Sequence, residues 1–334
     1  MSTPGPNIAA SIQGRLKHVA TQRQENYQRV LMRYASERLL YRLSLSRHAD
    51  KFVLKGAALL AAWTSSPFRA TRDIDLLGLI ESGVENLRVE FAEIFQIQIP
   101  EDDGLRFLPE SVQSELIRKD QEHGGVRVQG VALLGKSKIA LQIDIGFGDA
   151  ITPGPVSLMY PTLLKQPPAM LRTYPPETVV GEKLDALVCL GMGNSRMKDF
   201  YDLRVLSQTF NFESTKLSSA IRATFLRRGT LLPTDKPVAL TDAFALDPTK
   251  RNQWRAFLTR ADVEGPCDWT ETLEAISTFA WPAMKWAVSR SHSAMTWSAK
   301  EFLWVTSAQI THPTPHFPPA NHPLTKTLQI FEIP

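Results

Sequence analysis

Cysteine is scarce in this chain of 334 residues, and its scarcity excludes two classes of site. The two cysteines, Cys189 and Cys267, are far apart and outside any Cys-x-x-Cys pattern. Disulfide frameworks and structural zinc sites both depend on more cysteines at closer spacing. The sequence therefore predicts a protein of a reducing compartment, and we expect it to be cytoplasmic.

Long hydrophobic runs and a strong charge of one sign are also missing. The N-terminal stretch lacks the apolar core of a signal peptide, and no apolar run approaches the ~20 residues that cross a bilayer. We therefore expect no membrane association. Lys and Arg exceed Asp and Glu by only 38 to 34, and the pI is near 9.0. This mild excess permits a nucleic-acid partner without requiring one.

Helical and extended periodicities alternate in the first half of the chain, which indicates mixed α/β structure. The predicted elements are two helices within 8–48 that break near Thr21–Glu25, a strand becoming a helix over Phe52–Trp63, a loop over Ser65–Thr71, a strand over Arg72–Ile80, a helix over Glu81–Phe95, a strand over Gly104–Phe107, a helix over Ser111–Asp120, and strands over Gly125–Leu134 and Lys138–Phe147.

The second half is predominantly helical after a proline-rich segment at 150–176, which is a candidate hinge. The predicted helices cover Glu177–Leu190, Lys198–Phe210, Ser214–Arg228, Lys250–Arg260 and Thr270–Ser289. These patterns predict an α+β, bilobed protein. Its parts are an α/β lobe with a mixed sheet and preceding helices at 1–160, a mostly helical lobe at 161–289 and an irregular tail at 290–334.

The tail after Ser289 carries four of the seven histidines, His292, His312, His316 and His322. Because no pair of them has the spacing of a helical or finger-like metal site, irregular structure is the better interpretation. The segment Met295–Val305 is amphipathic enough to form a partner helix, or else to pack on the helical lobe.

Two carboxylates one residue apart stand out in RATRDIDLLG, which otherwise has the pattern of a buried strand. Asp73 and Asp75 point to the same side of such a strand, because residues i and i+2 share a face. Like charges so close together repel unless a cation lies between them. Mg²⁺ binds carboxylate and phosphate oxygens together, so the pair suits a metal–nucleotide complex. Alternatively, the pair caps a turn or meets Arg69 and Arg72.

Two further features support a nucleotide site. Lys55 and Gly56 follow a short strand and open a helix, where backbone amides favour phosphate. In LQIDIGFGD, Asp144 lies on a strand and can serve as a third carboxylate in a two-metal arrangement. A strand-end residue in a polar turn is the alternative for Asp144.

The second half supplies a charged cluster. Lys183 lies on a helix with an apolar stripe, and Arg196, Lys198, Asp199 and Asp202 open the next one. Such a cluster suits triphosphate binding and proton transfer. Lys198 and Asp202 are also spaced as a solvated i,i+4 ion pair, and the two interpretations are equally favoured.

Five ordered blocks make the sequence recognisable: LKGAALL, RATRDIDLL, LQIDIGFGDAITPGP, YPPETVVGEKLDAL and NSRMKDFYDL. Over roughly residues 10 to 285 the chain resembles the AbiEii/AbiGii-type nucleotidyltransferase toxins of the DNA polymerase β-like superfamily. The resemblance implies a metal-dependent nucleotidyltransferase that is half of a toxin–antitoxin pair. It also implies a winged-helix antitoxin encoded alongside, and an NTP whose nucleotide is transferred to RNA, such as the 3′ end of tRNA.

The resemblance also assigns roles by position. Gly56 matches the nucleotide-cradling turn, where Ala57 replaces the usual second Gly or Ser. The resemblance also implies Asp73, Asp75 and Asp144 as Mg²⁺ ligands, Lys183 as a contact of the nucleotide phosphates, and Asp199, with Asp202 as second choice, as base or positioning group. Our full candidate list is Asp73, Asp75, Lys183 and Asp199 for catalysis, and Lys55, Gly56, Arg69, Thr71, Arg196, Lys198 and Asp202 for the nucleotide. Arg222, Arg227 and Arg228 are candidate RNA-phosphate contacts or a solvated helix face.

Two other functions compete with this interpretation. One is nucleotide transfer to a protein or to a small molecule. The other is a catalytically silent binding module, whose expected signature is the loss of one or more site carboxylates. Since Asp73, Asp75 and Asp144 are all present, an enzyme is favoured.

Overall fold

The computed structural model describes residues 8–64, 73–80, 82–117, 125–261, 267–289 and 293–306. The chain divides into two compact units. The first comprises 1–62, 70–149 and 155–174, and the second comprises 63–69, 150–154 and 175–334. No helix within the described ranges has the length and apolar character needed to span a membrane.

Ten helices are formed within the described residues. They are α1 (Ile8–Gln22), α2 (Tyr27–Leu45), α3 (Ala57–Trp63), α4 (Val84–Gln96), α5 (Pro176–Leu190), α6 (Met197–Thr209), α7 (Ser214–Arg228), α8 (Asp242–Leu246), α9 (Pro248–Ala261) and α10 (Trp269–Ser289). The predicted helices agree with these bounds to within about three residues, apart from α8, which was not predicted, and one segment described below. Asn26 explains the predicted break before α2, because its side chain accepts hydrogen bonds from two amides of the first turn.

The strands form two sheets. They are β1 (Phe52–Lys55), β2 (Asp73–Gly78), β3 (Leu105–Ile117), β4 (Gly125–Leu134), β5 (Ser137–Phe147), β6 (Val156–Met159), β7 (Met170–Thr173), β8 (Phe212–Glu213), β9 (Met295–Ser298) and β10 (Leu303–Thr306). The large sheet has the order β3-β4-β5-β2-β1-β7-β6, and the small one has the order β10-β9-β8.

The large sheet is mixed, as predicted. β2 runs parallel to β5 and antiparallel to β1. Alternation buries one face of its central strands: Ile74 and Leu76 of β2, with Ile143 and Ile145 of β5, are at most 3% exposed. The intervening residues face the other side, and there the polar side chains collect.

The helix predicted over Ser111–Asp120 is wrong for the residues described, because β3 continues to Ile117. Its ladder with β4 shifts register between Leu108 and Gln113. At this irregularity the Ser111 hydroxyl donates to the Leu108 carbonyl and accepts from the Val131 amide. The irregularity breaks the period-2 pattern that identifies a strand, and pairing with β4 overrides the local helical spacing.

The proline-rich segment at 150–176 contains β6 and β7, which extend the large sheet beyond β1. β7 is joined to β1 through the pair Leu54 and Thr173, and the first compact unit runs to Tyr174. Most of the segment predicted as a hinge therefore belongs with the sheet. The lobe boundaries at 160 and 289 stay a prediction.

The second unit holds α5 to α10 and the small sheet. Met295–Val305 forms part of the β9–β10 hairpin rather than the helix considered for it. Trp297 and Trp304 face each other across the hairpin, and their indole N–H groups donate to the carbonyls of Ser207 and Phe279. These contacts, of which that of Trp297 is buried, favour the extended conformation. The four tail histidines lie outside the described residues.

Candidate active site

A row of charged side chains crosses five neighbouring strands on the polar face of the large sheet. Its members are cross-strand partners, so their side chains share a face. We call this set the charged row, and its members in spatial order are Glu115, Arg127, Asp144, Asp75 and Lys55. The tertiary fold therefore places Asp144 beside Asp75, although 68 residues separate them in the sequence.

A second row runs parallel to the first, two residues along each strand. Asp73 of β2 is the partner of Gln142 on β5, and the row continues through Gln129 to Gln113. We call Gln113, Gln129 and Gln142 the amide row. Asp73 therefore lies where an uncharged surface meets the charged row.

Asp144 is held by an arginine that sequence reasoning did not select. Nε of Arg127 donates to one carboxylate oxygen at 2.9 Å, and Nη2 donates to the other at 2.8 Å. This two-point pairing raises the pKa of the Arg127 guanidinium above its usual value, chiefly through the hydrogen bonds to Asp144. Both oxygens of the predicted third metal ligand are thus engaged by a cation.

Gly56 connects β1 to α3 in a conformation that few other residues adopt. Its φ is 72°, and a Cβ at this position would overlap the carboxylate of Asp75. The missing side chain therefore lets the backbone turn lie directly against a site carboxylate. This close approach is the physical reason for glycine in the LKGAALL block.

Lys55 faces an acidic residue that sequence reasoning missed. Its Nζ donates to Oδ2 of Asp149 at 2.6 Å, and the Tyr174 hydroxyl donates to the same oxygen at 3.4 Å. The Lys55 ammonium also lies close to Gly146, at ordinary van der Waals distance from where a Cβ would be. The signal was present in LQIDIGFGD, which ends at Asp149, but its spacing resembles that of an ordinary polar turn.

The donor chemistry of Asp73 and Asp75 fits a magnesium ion. Mg²⁺ is usually held by one or two carboxylates together with substrate phosphates, rather than by an all-protein cage. Within the ranges that the structure describes, no group of three or more His, Cys, Asp or Glu side chains is arranged to hold a metal ion. The pair on β2 therefore fits the usual two-carboxylate pattern, while Asp144 pairs with Arg127.

In the second unit, Lys183 of α5 brings together two buried carboxylates of α6. Its Nζ donates to Asp199 at 3.1 Å and to Asp202 at 2.7 Å. Asp202 is fully buried and Asp199 is 2% exposed. Asp202 is therefore not part of a solvated ion pair with Lys198, which was the alternative interpretation. Buried charges are stable only when paired, and this cluster satisfies that condition.

Arg196 precedes α6 and adds a partly exposed cation to this cluster. Its Nε lies 2.8 Å from Oδ2 of Asp199, in a direction that makes no hydrogen bond. The turn before it is fixed by Asn194, whose side-chain oxygen accepts from the Arg196 amide. Lys198 is exposed on the first turn of α6. The remaining candidates, Arg69 and Thr71, lie outside the described residues.

The arginines of α7 differ in their surroundings. Arg228 is paired with Glu182 and Asp185, and Nε of Arg222 donates to the carbonyl of Ala287. Arg227 is exposed. Because two carboxylates offset the charge of Arg228, this helix is a weaker phosphate surface than its sequence suggests.

Comparison with known proteins gives one family. Residues 38–286 match the family model described as "Nucleotidyl transferase AbiEii toxin, Type IV TA system". Two solved structures from Helicobacter pylori are similar to the chain. The first, described as a candidate nucleotidyltransferase, is 18% identical to this chain. The match covers 78% of this chain and 98% of the other chain, with a TM-score of 0.43. The second, JHP933, is 19% identical to this chain. The match covers 78% of this chain and 96% of JHP933, with a TM-score of 0.42. No curated protein matches the chain.

Proposed function

Because the chain belongs to the AbiEii family of nucleotidyltransferase toxins of type IV toxin–antitoxin systems, we propose that it transfers a nucleotide from an NTP to an RNA acceptor such as the 3′ end of tRNA, with Mg²⁺ as cofactor. The observation that carries the proposal is the charged row. It places Asp75 between Lys55 and Asp144, with the Gly56 turn against its carboxylate.

Asp73 and Asp75 are the residues that hold Mg²⁺ in this proposal. Once bound, the ion offsets negative charge on the NTP phosphates. Lys55 and Gly56 lie on the neighbouring strand and turn, where the Lys55 ammonium favours phosphate oxygens and Gly56 lets the turn lie against Asp75. Asp144 helps to organise the same face, and its pairing with Arg127 keeps its carboxylate in a fixed position.

Lys183, Asp199 and Asp202 form the second part of the proposed machinery. Lys183 contacts the departing phosphates. Asp199 accepts the proton of the acceptor hydroxyl, or positions that hydroxyl, and Asp202 holds Lys183 in place. Arg196 and Lys198 add positive charge for the triphosphate.

The reaction balances with these groups alone. The acceptor hydroxyl oxygen forms a bond to the α-phosphorus, the bond from that phosphorus to the β-phosphate bridge breaks, and pyrophosphate leaves. The hydroxyl proton passes to Asp199 or to water. Catalysis then depends on positioning and on stabilisation of phosphate charge.

The exposed arginines of α9 support RNA as the acceptor. Arg251, Arg255 and Arg260 are all exposed, and α9 contains no acidic residue. Among the described residues, no carboxylate pairs with any of the three; their hydrogen bonds go to backbone carbonyls and to an asparagine. Arg251 and Arg255 are about one helical turn, or about 6 Å, apart on one face, whereas Arg260 lies on the other side of the helix, so the three arginines can meet phosphates on two sides of α9.

α9 is also joined to the segment that precedes α6. Nζ of Lys250, which is 5% exposed, donates to the carbonyl of Asn194 at 2.9 Å. Trp254 and Phe257 of α9 pack against Tyr201 of α6. The helix that carries these arginines is therefore fixed to the helix that bears Asp199 and Asp202.

The proposal is tested by incubating the purified protein with each labelled NTP and either deacylated tRNA or total lysate protein. Label is expected on the 3′ end of tRNA and absent when Asp73→Asn replaces the wild type. Label on protein or on a small molecule alone would overturn the RNA assignment. Membership of the family implies an antitoxin partner, and we propose that it is a winged-helix protein encoded alongside.

A further inference from the structure

The amide row borders a depression on the polar face of the large sheet. This depression has a volume of about 510 Å³, within the range of small-molecule sites, and all three glutamines and Asp73 line it. Ser111, at the irregularity of β3, lines it as well. Any group bound there lies beside a carboxylate of the proposed metal pair.

The chemistry of the amide row differs from that of the charged row. Gln113 and Gln129 are exposed, and their side-chain amides make no hydrogen bond within the described residues. Nε2 of Gln142 lies 3.5 Å from Asp144, which is a weak contact. A side-chain amide presents a donor and an acceptor side by side, and this arrangement matches the edge of a nucleobase.

The position of the amide row indicates which of the two proposed substrates, the NTP or the acceptor RNA, it contacts. Lys55 and Gly56, assigned to the NTP phosphates, lie on the β1 side of β2, whereas the amide row extends to the opposite side over β5, β4 and β3. Unstacked bases at RNA ends are read through hydrogen bonds to their edges. We therefore propose that the amide row binds the terminal bases of the acceptor RNA; this inference rests on the proposed function.

The test uses a double variant, Gln113→Ala with Gln129→Ala, in the full chain. Gln142 is left unchanged because it contacts Asp144. The matched control is Gln96→Ala with Gln98→Ala, which removes two exposed amides at and just beyond the end of α4. Steady-state transfer is measured with acceptors that differ only in their 3′-terminal base, and KM is determined separately for acceptor and NTP.

The amide-row variant is expected to raise the acceptor KM about tenfold and to reduce the preference among terminal bases, while the NTP KM and kcat at saturating acceptor stay unchanged. The control is expected to behave as the wild type. Equal effects of the two double variants, or no effect of either, would overturn the inference. A rise in the NTP KM alone would also overturn it, because the row would then contact the incoming nucleotide.

If the proposed function itself is wrong, the transfer assay gives a different result from the one expected if only the inference about the amide row is wrong. If the wild type labels no RNA, RNA is not the acceptor, and the amide row has no acceptor base to bind. If the wild type labels RNA and the amide-row variant matches the control, only the inference about the amide row fails.

Discussion

Asp73 and Asp144 are both strand carboxylates on one sheet face, but their surroundings differ. Asp144 accepts two hydrogen bonds from Arg127, whereas the cross-strand partner of Asp73 is the neutral Gln142. Arg127 also interacts electrostatically with Asp73. Since Asp73, and not Asp144, is assigned to Mg²⁺ in the proposed function, removal of the charge of Asp73 tests that assignment most directly.

Asp73→Asn is expected to lower the rate of nucleotide transfer at least about 100-fold. Its melting temperature should stay near the wild-type value, because the side chain is only half-buried. Asp102→Asn is the matched control, since Asp102 is exposed and Asn can still accept from the Gly104 amide. Wild-type transfer by purified Asp73→Asn would contradict the metal assignment.

Glu37 of α2 makes stability depend on pH. Burial raises the pKa of Glu37 to about 8, in spite of a hydrogen bond from the Leu163 amide and the charges of Arg38 and Arg33. The folded protein therefore keeps a proton that the unfolded chain loses above about pH 4.5. The stability due to Glu37 is fully present below that pH and decreases as pH rises to about 8.

Glu37→Gln should remove this dependence, because Gln keeps an acceptor for the Leu163 amide and carries no charge. The difference in unfolding free energy between the variant and the wild type is expected to grow by up to about 1.4 kcal/mol per pH unit between pH 5 and 8. Urea denaturation at several pH values measures it. A difference that does not change with pH would contradict the assignment.

At the scale of elements, the turn between β1 and α3 couples backbone geometry to the site. Gly56 and Gly229 have nearly the same positive φ, 72° and 67°. Only Gly56 has a carboxylate where a Cβ would lie; around Gly229 the space is open. Alanine substitutions at the two glycines therefore distinguish the effect of backbone strain from the effect of displacing Asp75.

Gly56→Ala and Gly229→Ala should each lose about 1 kcal/mol of stability through the left-handed backbone. Gly56→Ala is expected to lose more, since Asp75 must move, and to reduce nucleotide transfer strongly. Thermal melts and transfer assays of both variants test this. Equal activity in the two variants would show that the turn does not determine the position of Asp75.

At the scale of the whole molecule, the net charge of +4 does not reflect the local excess of positive charge on α9, which contains no acidic residue. Replacing Arg251, Arg255 and Arg260 by Gln should weaken RNA binding and lower the slope of log Kd against log salt by about 2 to 3. Arg106, Lys136 and Lys285 are exposed elsewhere in the chain, and their replacement by Gln removes the same charge. Binding titrations at several salt concentrations measure both triple variants. The same loss in each would mean that net charge, rather than the α9 arginines, determines RNA binding.

Much of this protein follows from the sequence alone. The five blocks predicted the family, which the family model confirms. Periodicity predicted the mixed sheet and most helices, because a buried face imposes its own repeat on the residues that form it. The role of Asp73 and Asp75 also comes from local spacing, and it stays a prediction.

Other features depend on tertiary structure. The pairing of Arg127 with Asp144 and of Lys55 with Asp149, the strand over Ser111–Ile117 and the amide row all depend on strand register. Register joins residues far apart in the chain through backbone hydrogen bonds and shared burial, and neither leaves a local pattern in the sequence. The sequence by itself therefore determined most of the elements and the family, and only the folded sheet decided which side chains meet.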